Sequence, residues 1–262
     1  MLERYKNSYL SYFLMYNFYY LSWAVFSALI SVYLLDKDFK ASEVSLVVST
    51  SFLTSMIFQP VIGMFSDRYD VKKVNFVLFT LAGIGGLAFM FASSLITITI
   101  GYSFVLTLIN GTNPVMEKIA SSSPYQYGKI RIWGTIGYAT GSWLAGMIYQ
   151  LISPSAIFIC FIITMILCII GLLGTQTPSE LGQNNEEKTK TSTLFHNYKY
   201  LYYLIIAAIF QGITNMANTY IPAMFQNDGL KVSLVSTILS FAVLCEAPLV
   251  LFSHKFMDKL TN

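Results

Sequence analysis

The sequence has little charge, little cysteine and little histidine. Only 11% of its 262 residues are charged, against roughly 25% in an average soluble domain, which argues against a water-soluble globular protein. Its three cysteines lie inside apolar runs and form no Cys-x-x-Cys pair, so neither a disulfide scaffold nor a zinc site is expected. The formal net charge of +3 is too small to indicate a nucleic-acid partner. We expect no metal and no cofactor.

Long apolar runs dominate the chain instead. Hydrophobic residues make up 55% of it, and a membrane-spanning helix needs about 20 predominantly apolar residues. The runs free of charge, the last interrupted only by Glu246, are Asn7–Leu35, Val44–Ser66, Val74–Met116, Ile132–Ser179, Tyr200–Asn227 and Val232–His254. Because two of these runs are long enough for two helices each, they predict eight spans. We therefore expect an all-α polytopic protein surrounded by the lipid bilayer.

Basic residues are distributed unequally between the two sides of the predicted membrane. With the N-terminus inside, thirteen lysines and arginines fall on the cytoplasmic side, and only Lys37, Lys40 and Lys231 fall on the other. This excess predicts a cytoplasmic N-terminus in a cell membrane, plasma or inner. The same topology makes 175–199 a cytoplasmic linker between a six-helix bundle at 1–174 and a pair of helices at 200–262.

The chain repeats itself weakly at a spacing of 191 residues. In this register Tyr9–Tyr12 falls on Tyr200–Tyr203, Ser42–Ser45 falls on Ser233–Ser236, and Asp67-Arg68 falls on Asp258-Lys259. One register that serves two helix starts and a loop charge pair indicates a parallel repeat of six spans. The second copy contains two spans, so we expect a longer form with four further helices, about 120 residues more.

The loop between the second and third spans carries the sharpest motif. It reads Gly63-Met-Phe-Ser-Asp67-Arg68-Tyr-Asp-Val-Lys72-Lys73. A glycine at a helix end lets another helix approach closely, and an Asp–Arg pair at the membrane edge can hold one conformation of the protein. An ordinary positive-inside loop would account for the two lysines alone.

This loop resembles the signature loop of the major facilitator superfamily. Together with the preceding Phe58-Gln59-Pro60 it is similar to the loop of lactose-permease-type oligosaccharide–proton symporters. The resemblance implies a bundle of six helices followed by the first two helices of a second bundle, and it makes the loop a conformational latch. This chain departs from the pattern at Asp70, where the family usually has glycine.

A second stretch, Tyr127–Ala139, resembles the entry into span five of the oligosaccharide symporters, the nucleoside–proton symporters and their phenylpropionate-transporter-like relatives. The resemblance implies that Arg131 and Tyr138 bind substrate. In lactose-type members an acidic residue of span four pairs with that arginine, whereas this chain has Asn113 there and Glu117 one turn later. From position alone, Arg131 could equally be an interfacial anchor.

Glu246 lies 14 residues after Val232 and 8 before His254, near the middle of a predicted span. A carboxylate there costs about 2.5–3.5 kcal/mol on insertion scales, and such residues mark ion or proton pathways. The resemblance to nucleoside symporters, in which a similarly placed glutamate contacts substrate, points the same way. The alternative is a neutral acid held by neighbouring helices.

Span seven carries Asn215 and Asn218, which share a helix face because they are three residues apart. Their amides could bind solute hydroxyls or tie helices together. Trp23 in span one is a further candidate for stacking on a sugar or base, although packing is the default role of an aromatic residue.

The resemblance implies proton-coupled transport of a small polar solute, first a sugar or oligosaccharide, and the sequence contains no constellation typical of an enzyme. Candidate solute-binding residues are Arg131, Tyr138, Asn113, Asn215, Asn218 and Trp23. The proton, as coupling ion, would bind Glu246 or Glu117. The alternatives are a nucleoside or aromatic-acid symporter, and a truncated membrane protein that does not transport.

Overall fold

The computed structural model describes residues 5–176 and 197–248. Within these ranges the chain forms nine α-helices and no strand: α1 Tyr9–Ser27, α2 Ile30–Leu35, α3 Ala41–Arg68, α4 Val71–Met90, α5 Leu95–Ser121, α6 Tyr127–Leu151, α7 Ala156–Gly174, α8 Tyr198–Asn227 and α9 Val232–Leu244. The all-α prediction is confirmed. Asp258, Lys259, His254 and most of the linker predicted at 175–199 lie outside the described residues.

Six helical segments are long and apolar enough to cross a membrane, if α1 and α2 count as the one segment Tyr9–Leu35. The other five are α3, α4, α5, α7 and α8. The breaks predicted inside the double-length runs are confirmed, because α4 ends at Met90 before α5 begins at Leu95, and α6 ends at Leu151 before α7 begins at Ala156.

Two predicted spans, α6 and α9, do not belong to this set. Helix α9 is apolar but only 13 residues long in the described part of the chain. Helix α6 has 25 residues but is rich in glycine, serine and threonine. Those small residues allow close packing, since a Cβ on Gly137 or Gly141 would collide with the carbonyl of Asn17 or Leu21 in α1. Close packing against α1 therefore explains why α6 has small residues at positions where other spans have large apolar ones.

Helices α1 to α7, here called the N-terminal bundle, share one core. Helix α1 packs on α6 and α7, α3 packs on α5, and α4 packs on α5 and α7. The core is rich in aromatic side chains, and Tyr16, Tyr19, Phe26, Phe89 and Phe158 are at most 2% exposed. Pairs such as Phe26 and Tyr102, whose ring centroids lie 5.5 Å apart, supply large apolar area with defined geometry.

Helices α8 and α9, here called the C-terminal pair, meet the bundle through α2 and α6. Helices α3 and α9 begin at Ala41 and Val232, in the predicted register of 191 residues, and α1 and α8 begin at Tyr9 and Tyr198, two residues away from it. The remainder of α8 is open, since Tyr202, Ile206 and Phe210 are 66%, 67% and 69% exposed. The domain bounds themselves stay a prediction.

The hydrogen bonds that the described residues form between the bundle and the pair lie at one end of the helices, here called the Asp36 end. Four hydrogen bonds cross there: Ser31 Oγ to the Thr219 carbonyl (2.5 Å), Gln226 Nε2 to Asp36 Oδ1 (2.8 Å), Tyr220 to Ser45 (3.1 Å between hydroxyls) and Ser233 N to Gln150 Oε1 (2.9 Å). Helix α3 runs from this end to the opposite one, the Asp67 end. The bundle and the pair are thus joined at the Asp36 end.

Candidate functional site

Glu117 lies at the centre of a polar cluster inside the N-terminal bundle. Its Oε1 accepts hydrogen bonds from Tyr16 Oη and Tyr20 Oη, each at 2.7 Å, and its Oε2 accepts one from Tyr127 Oη at 2.7 Å. Arg131 Nε stands 3.9 Å from Oε1. These five residues, from α1, α5 and α6, are called the Glu117 cluster. The sequence left open whether the acidic partner of Arg131 had moved to Glu117 or was lost, and the structure places Glu117 beside Arg131. It missed the role of the three tyrosines as hydrogen-bond donors to Glu117.

Asn113 joins this cluster at its edge. Its Nδ2 donates to Tyr20 Oη at 3.2 Å, and the Tyr20 ring lies 5.6 Å below the guanidinium carbon of Arg131, within range of a cation–π attraction. The side chains of Arg131 and Glu117 are 33% and 30% exposed. About a third of each charged side chain is therefore accessible at the surface of the described part of the protein.

A small cavity of about 50 Å³ lies between the N-terminal bundle and the C-terminal pair. It is called here the inter-part cavity, and its residues are Trp23, Ser27, Ala28, Phe52, Tyr102, Leu106, Asn110, Tyr138, Asn215, Asn218 and Thr219. None of these side chains is charged. The structure thus brings Trp23 and Tyr138 of the bundle to one site with Asn215 and Asn218 of the pair.

An aromatic path links the cavity to the Glu117 cluster. The Tyr20 ring stacks on Trp23 with centroids 5.9 Å apart, and Trp23 meets Tyr138 edge-on at 6.3 Å. Asn110, on the cavity wall, donates to Ser55 Oγ at 3.2 Å. The two sites are therefore neighbours, because Tyr20 of the Glu117 cluster stacks on Trp23 of the cavity lining.

The residues of the predicted latch lie at the Asp67 end. Asp67 Oδ1 stands 4.0 Å from Lys118 Nζ at the end of α5, so the acid pairs with another helix. Both side chains are more than half exposed, and such pairs contribute little in water. Asp70 explains the departure from the family pattern, because its carboxylate caps α4 by accepting from Lys73 N at 3.0 Å.

Close helix packing at Gly63 stays a prediction, because the described residues do not form it. No described atom lies within 4 Å of the position that a Cβ on Gly63 would take. Arg68 ends α3, and Lys72 lies in the first turn of α4. The physical reason is that the bundle and the pair approach each other at the Asp36 end, leaving the Gly63 face without a described neighbour.

Glu246 is exposed and follows the last residue of α9 by two positions. It does not belong to the lining of the inter-part cavity as the described residues form it. Sequence reasoning also missed Asp36, which accepts from Tyr149 of α6 and Gln226 of α8. A loop aspartate gave no signal of a contact between two parts of the molecule.

Comparison with known proteins agrees with this architecture. The chain is 27% identical over 255 residues to an uncharacterized transporter, YwbF, of Bacillus subtilis (strain 168), covering 94% of this chain and 63% of that protein. It is 21% identical to a probable 3-phenylpropionic acid transporter of Escherichia coli (strain K12), covering 92% and 65%. A raffinose permease of Escherichia coli is 26% identical over 130 residues, covering 45% and 30%. The chain thus spans less than two thirds of the length of these relatives.

The fold is also similar to a solved structure. The crystal structure of the nucleoside transporter NupG superimposes with a TM-score of 0.76 at 16% identity, over 96% of this chain and 68% of that one. The family model described as Major Facilitator Superfamily matches residues 12–262. The chain therefore belongs to the Major Facilitator Superfamily, as a multi-pass membrane protein whose relatives are transporters and not enzymes.

Proposed function

We propose that the protein is a proton-coupled symporter of a small polar solute, with a sugar or oligosaccharide as the first candidate. The observation that carries this proposal is the inter-part cavity, whose lining offers amides and aromatic rings but no charge. Amides of Asn110, Asn215 and Asn218 can hydrogen-bond to solute hydroxyls. Trp23 and Tyr138 offer apolar faces for the C–H side of a sugar ring.

Solute would bind between the bundle and the pair, so that both parts contact it. Arg131 and Asn113 lie one aromatic layer away, at the Glu117 cluster, and can supply donors to a longer solute. Binding across two parts suits alternating access, in which the parts rock about a fixed site. In this proposal the Asp67–Arg68 loop, with Gly63, Lys72 and Lys73, latches one of the two states.

The proton would bind Glu246 or Glu117 as the coupling ion, and the proposed transport would need no other cofactor. The N-terminus would face the cytoplasm of a plasma or inner membrane, and the solute and the bilayer would be the partners, without nucleic acid. In this proposal, four further helices of a second bundle would complete the cavity in a longer form; the chain spans 63% of the length of YwbF.

A nucleoside is the second candidate. The observation that favours it is the edge-on pair of Trp23 and Tyr138, which could hold a flat base, while the amides of α8 bind the ribose. The E. coli relative named for 3-phenylpropionic acid adds aromatic acids, for which Arg131 would be the counter-charge. A form that does not transport remains the rival from another class.

Uptake of radiolabelled raffinose, uridine and 3-phenylpropionate by cells that express the protein tests the proposal. We expect uptake of one of these classes above vector-only cells, and its loss when a protonophore collapses the proton gradient. Uptake that is insensitive to the protonophore would contradict coupling. Failure of all three classes, with the protein present in the membrane, would favour the rival that does not transport.

A further inference from the structure

We propose that Tyr16, Tyr20 and Tyr127 are positioning residues that hold ionised Glu117 next to Arg131, and that protonation of Glu117 frees the Arg131 guanidinium for the solute. This inference rests on the proposed symport and concerns how the proton controls the solute site. This chain carries its carboxylate at Glu117, one turn beyond the family position at Asn113. The three tyrosines hold that carboxylate where it can interact with Arg131.

The hydrogen bonds show which group is fixed and which is loose. An ionised carboxylate offers about four acceptor sites, and three phenol hydroxyls at 2.7 Å occupy most of them. Arg131 Nε, at 3.9 Å from Oε1, lies beyond hydrogen-bond distance. The tyrosines thus anchor Glu117, whereas Arg131 is held mainly by charge and by the Tyr20 ring.

Protonation changes this balance in a defined way. A proton from solvent adds to one oxygen of the carboxylate and gives a neutral acid, with one O–H donor and fewer acceptor sites. The attraction between Glu117 and Arg131 is then lost, while the guanidinium keeps its five N–H donors. Those donors become available to hydroxyl or carboxylate groups of a solute.

The surroundings of Glu117 make Arg131 the group that responds. Helix α1 presents Tyr16 and Tyr20, and α6 presents Tyr127 and Arg131. On its own helix, Asn113 reaches Tyr20, and the neighbouring Lys118 stands 4.0 Å from Asp67. Since the phenols are neutral and Lys118 lies near an acid of its own, Arg131 is the cation most affected when Glu117 loses its charge.

Chemical modification of Arg131 tests the proposal without any solute. The sequence has three arginines, Arg4, Arg68 and Arg131, and phenylglyoxal modification of each can be quantified by mass spectrometry of the purified protein. Arg68 is exposed, so the ratio of Arg131 to Arg68 modification corrects for the intrinsic pH dependence of the reagent. We expect this ratio to rise at least threefold as the pH is lowered.

Variants separate positioning from mere packing. Glu117→Gln should give the high ratio at every pH, and Tyr127→Phe should raise it part of the way, because it removes one anchor from a side chain that is 41% exposed. Asn113→Glu/Glu117→Gln returns the acid to the family position beside Tyr20 and should restore the low ratio and its pH dependence. Glu43→Gln, at the opposite end of α3, should give the same ratio as the wild-type protein at each pH.

Two results would overturn the proposal. The first is a modification ratio in the wild-type protein that does not change with pH, and the second is a Glu117→Gln ratio equal to that of the wild-type protein. If Glu117→Gln does not fold, Tyr127→Phe carries the same decision. The labelling experiment and the transport assay test the positioning and the symport independently. A pH-dependent ratio without any transport would refute the symport and leave the tyrosine positioning intact, while transport with a constant ratio would refute the positioning.

Discussion

Asn215 and Asn218 are the two residues of α8 whose side-chain amides line the inter-part cavity, beside Thr219. A hydrogen bond contributes about 0.5–1.5 kcal/mol, so Asn215→Ala and Asn218→Ala should each raise the KM for uptake by roughly 2- to 12-fold. Gln211→Ala is the matched control, since Gln211 is exposed on the same helix and outside the cavity lining. An unchanged KM in both variants would exclude α8 from solute binding.

Glu246 and Glu117 are competing positions for the coupling proton. If Glu246 carries it, Glu246→Gln should keep solute exchange across the membrane and lose accumulation driven by a pH gradient, because the neutral amide neither binds nor releases a proton. Exchange and accumulation are both measured with labelled solute in proteoliposomes. Accumulation at the full rate in this variant would remove Glu246 from the coupling mechanism.

Sequence reasoning identified single residues best where a motif fixed them. The motif pointed to Arg131 and left open whether its acidic partner had moved to Glu117 or was lost, and these two side chains lie 3.9 Å apart. Asp70 was noted as a departure, and its role as the cap of α4 follows only from the backbone geometry. Tyr16 and Tyr127 were missed because aromatic residues are abundant, 16% of the chain, and nothing in their spacing tells a packed ring from a hydrogen-bond donor.

Helices α6 and α9 form the closest contact between the two parts of the molecule. A Cβ on Gly146 of α6 would collide with Ser236 of α9, so a large side chain there should force the helices apart. We expect Gly146→Leu to lengthen the distance between spin labels at Ile152 and Asn227, two positions at the Asp36 end. Gly83→Leu is the control, since a Cβ on Gly83 meets open space.

An unchanged label distance in Gly146→Leu would show that α6 and α9 accommodate the larger side chain without separating.

Apolar runs in the sequence predicted the helices that are long and apolar enough to cross the membrane. They could not predict the close packing of α6, whose glycines contact α1 and α9. The same limit explains Gly63. Glycine near a helix end fits a close approach, yet only the arrangement of the helices decides whether another helix is present.

The molecule as a whole is joined at the Asp36 end and has an uncharged cavity between its two parts. The periodic repeat predicted two related parts, and the starts of α3 and α9 agree with its register. The sequence did not predict how the parts meet. Hydrogen bonds such as Gln226 to Asp36 and Ser233 to Gln150 join residues that are far apart in the chain and carry no motif.

Joint movement of solute and proton is the central claim, and one measurement tests it most directly. Proteoliposomes that contain the protein and an entrapped pH-sensitive dye are exposed to an inward gradient of raffinose, with uridine in a parallel series. If solute and proton move together, the lumen should acidify when the solute is added, and protein-free liposomes should show no such change. Solute entry without any change in the pH of the lumen would contradict that claim.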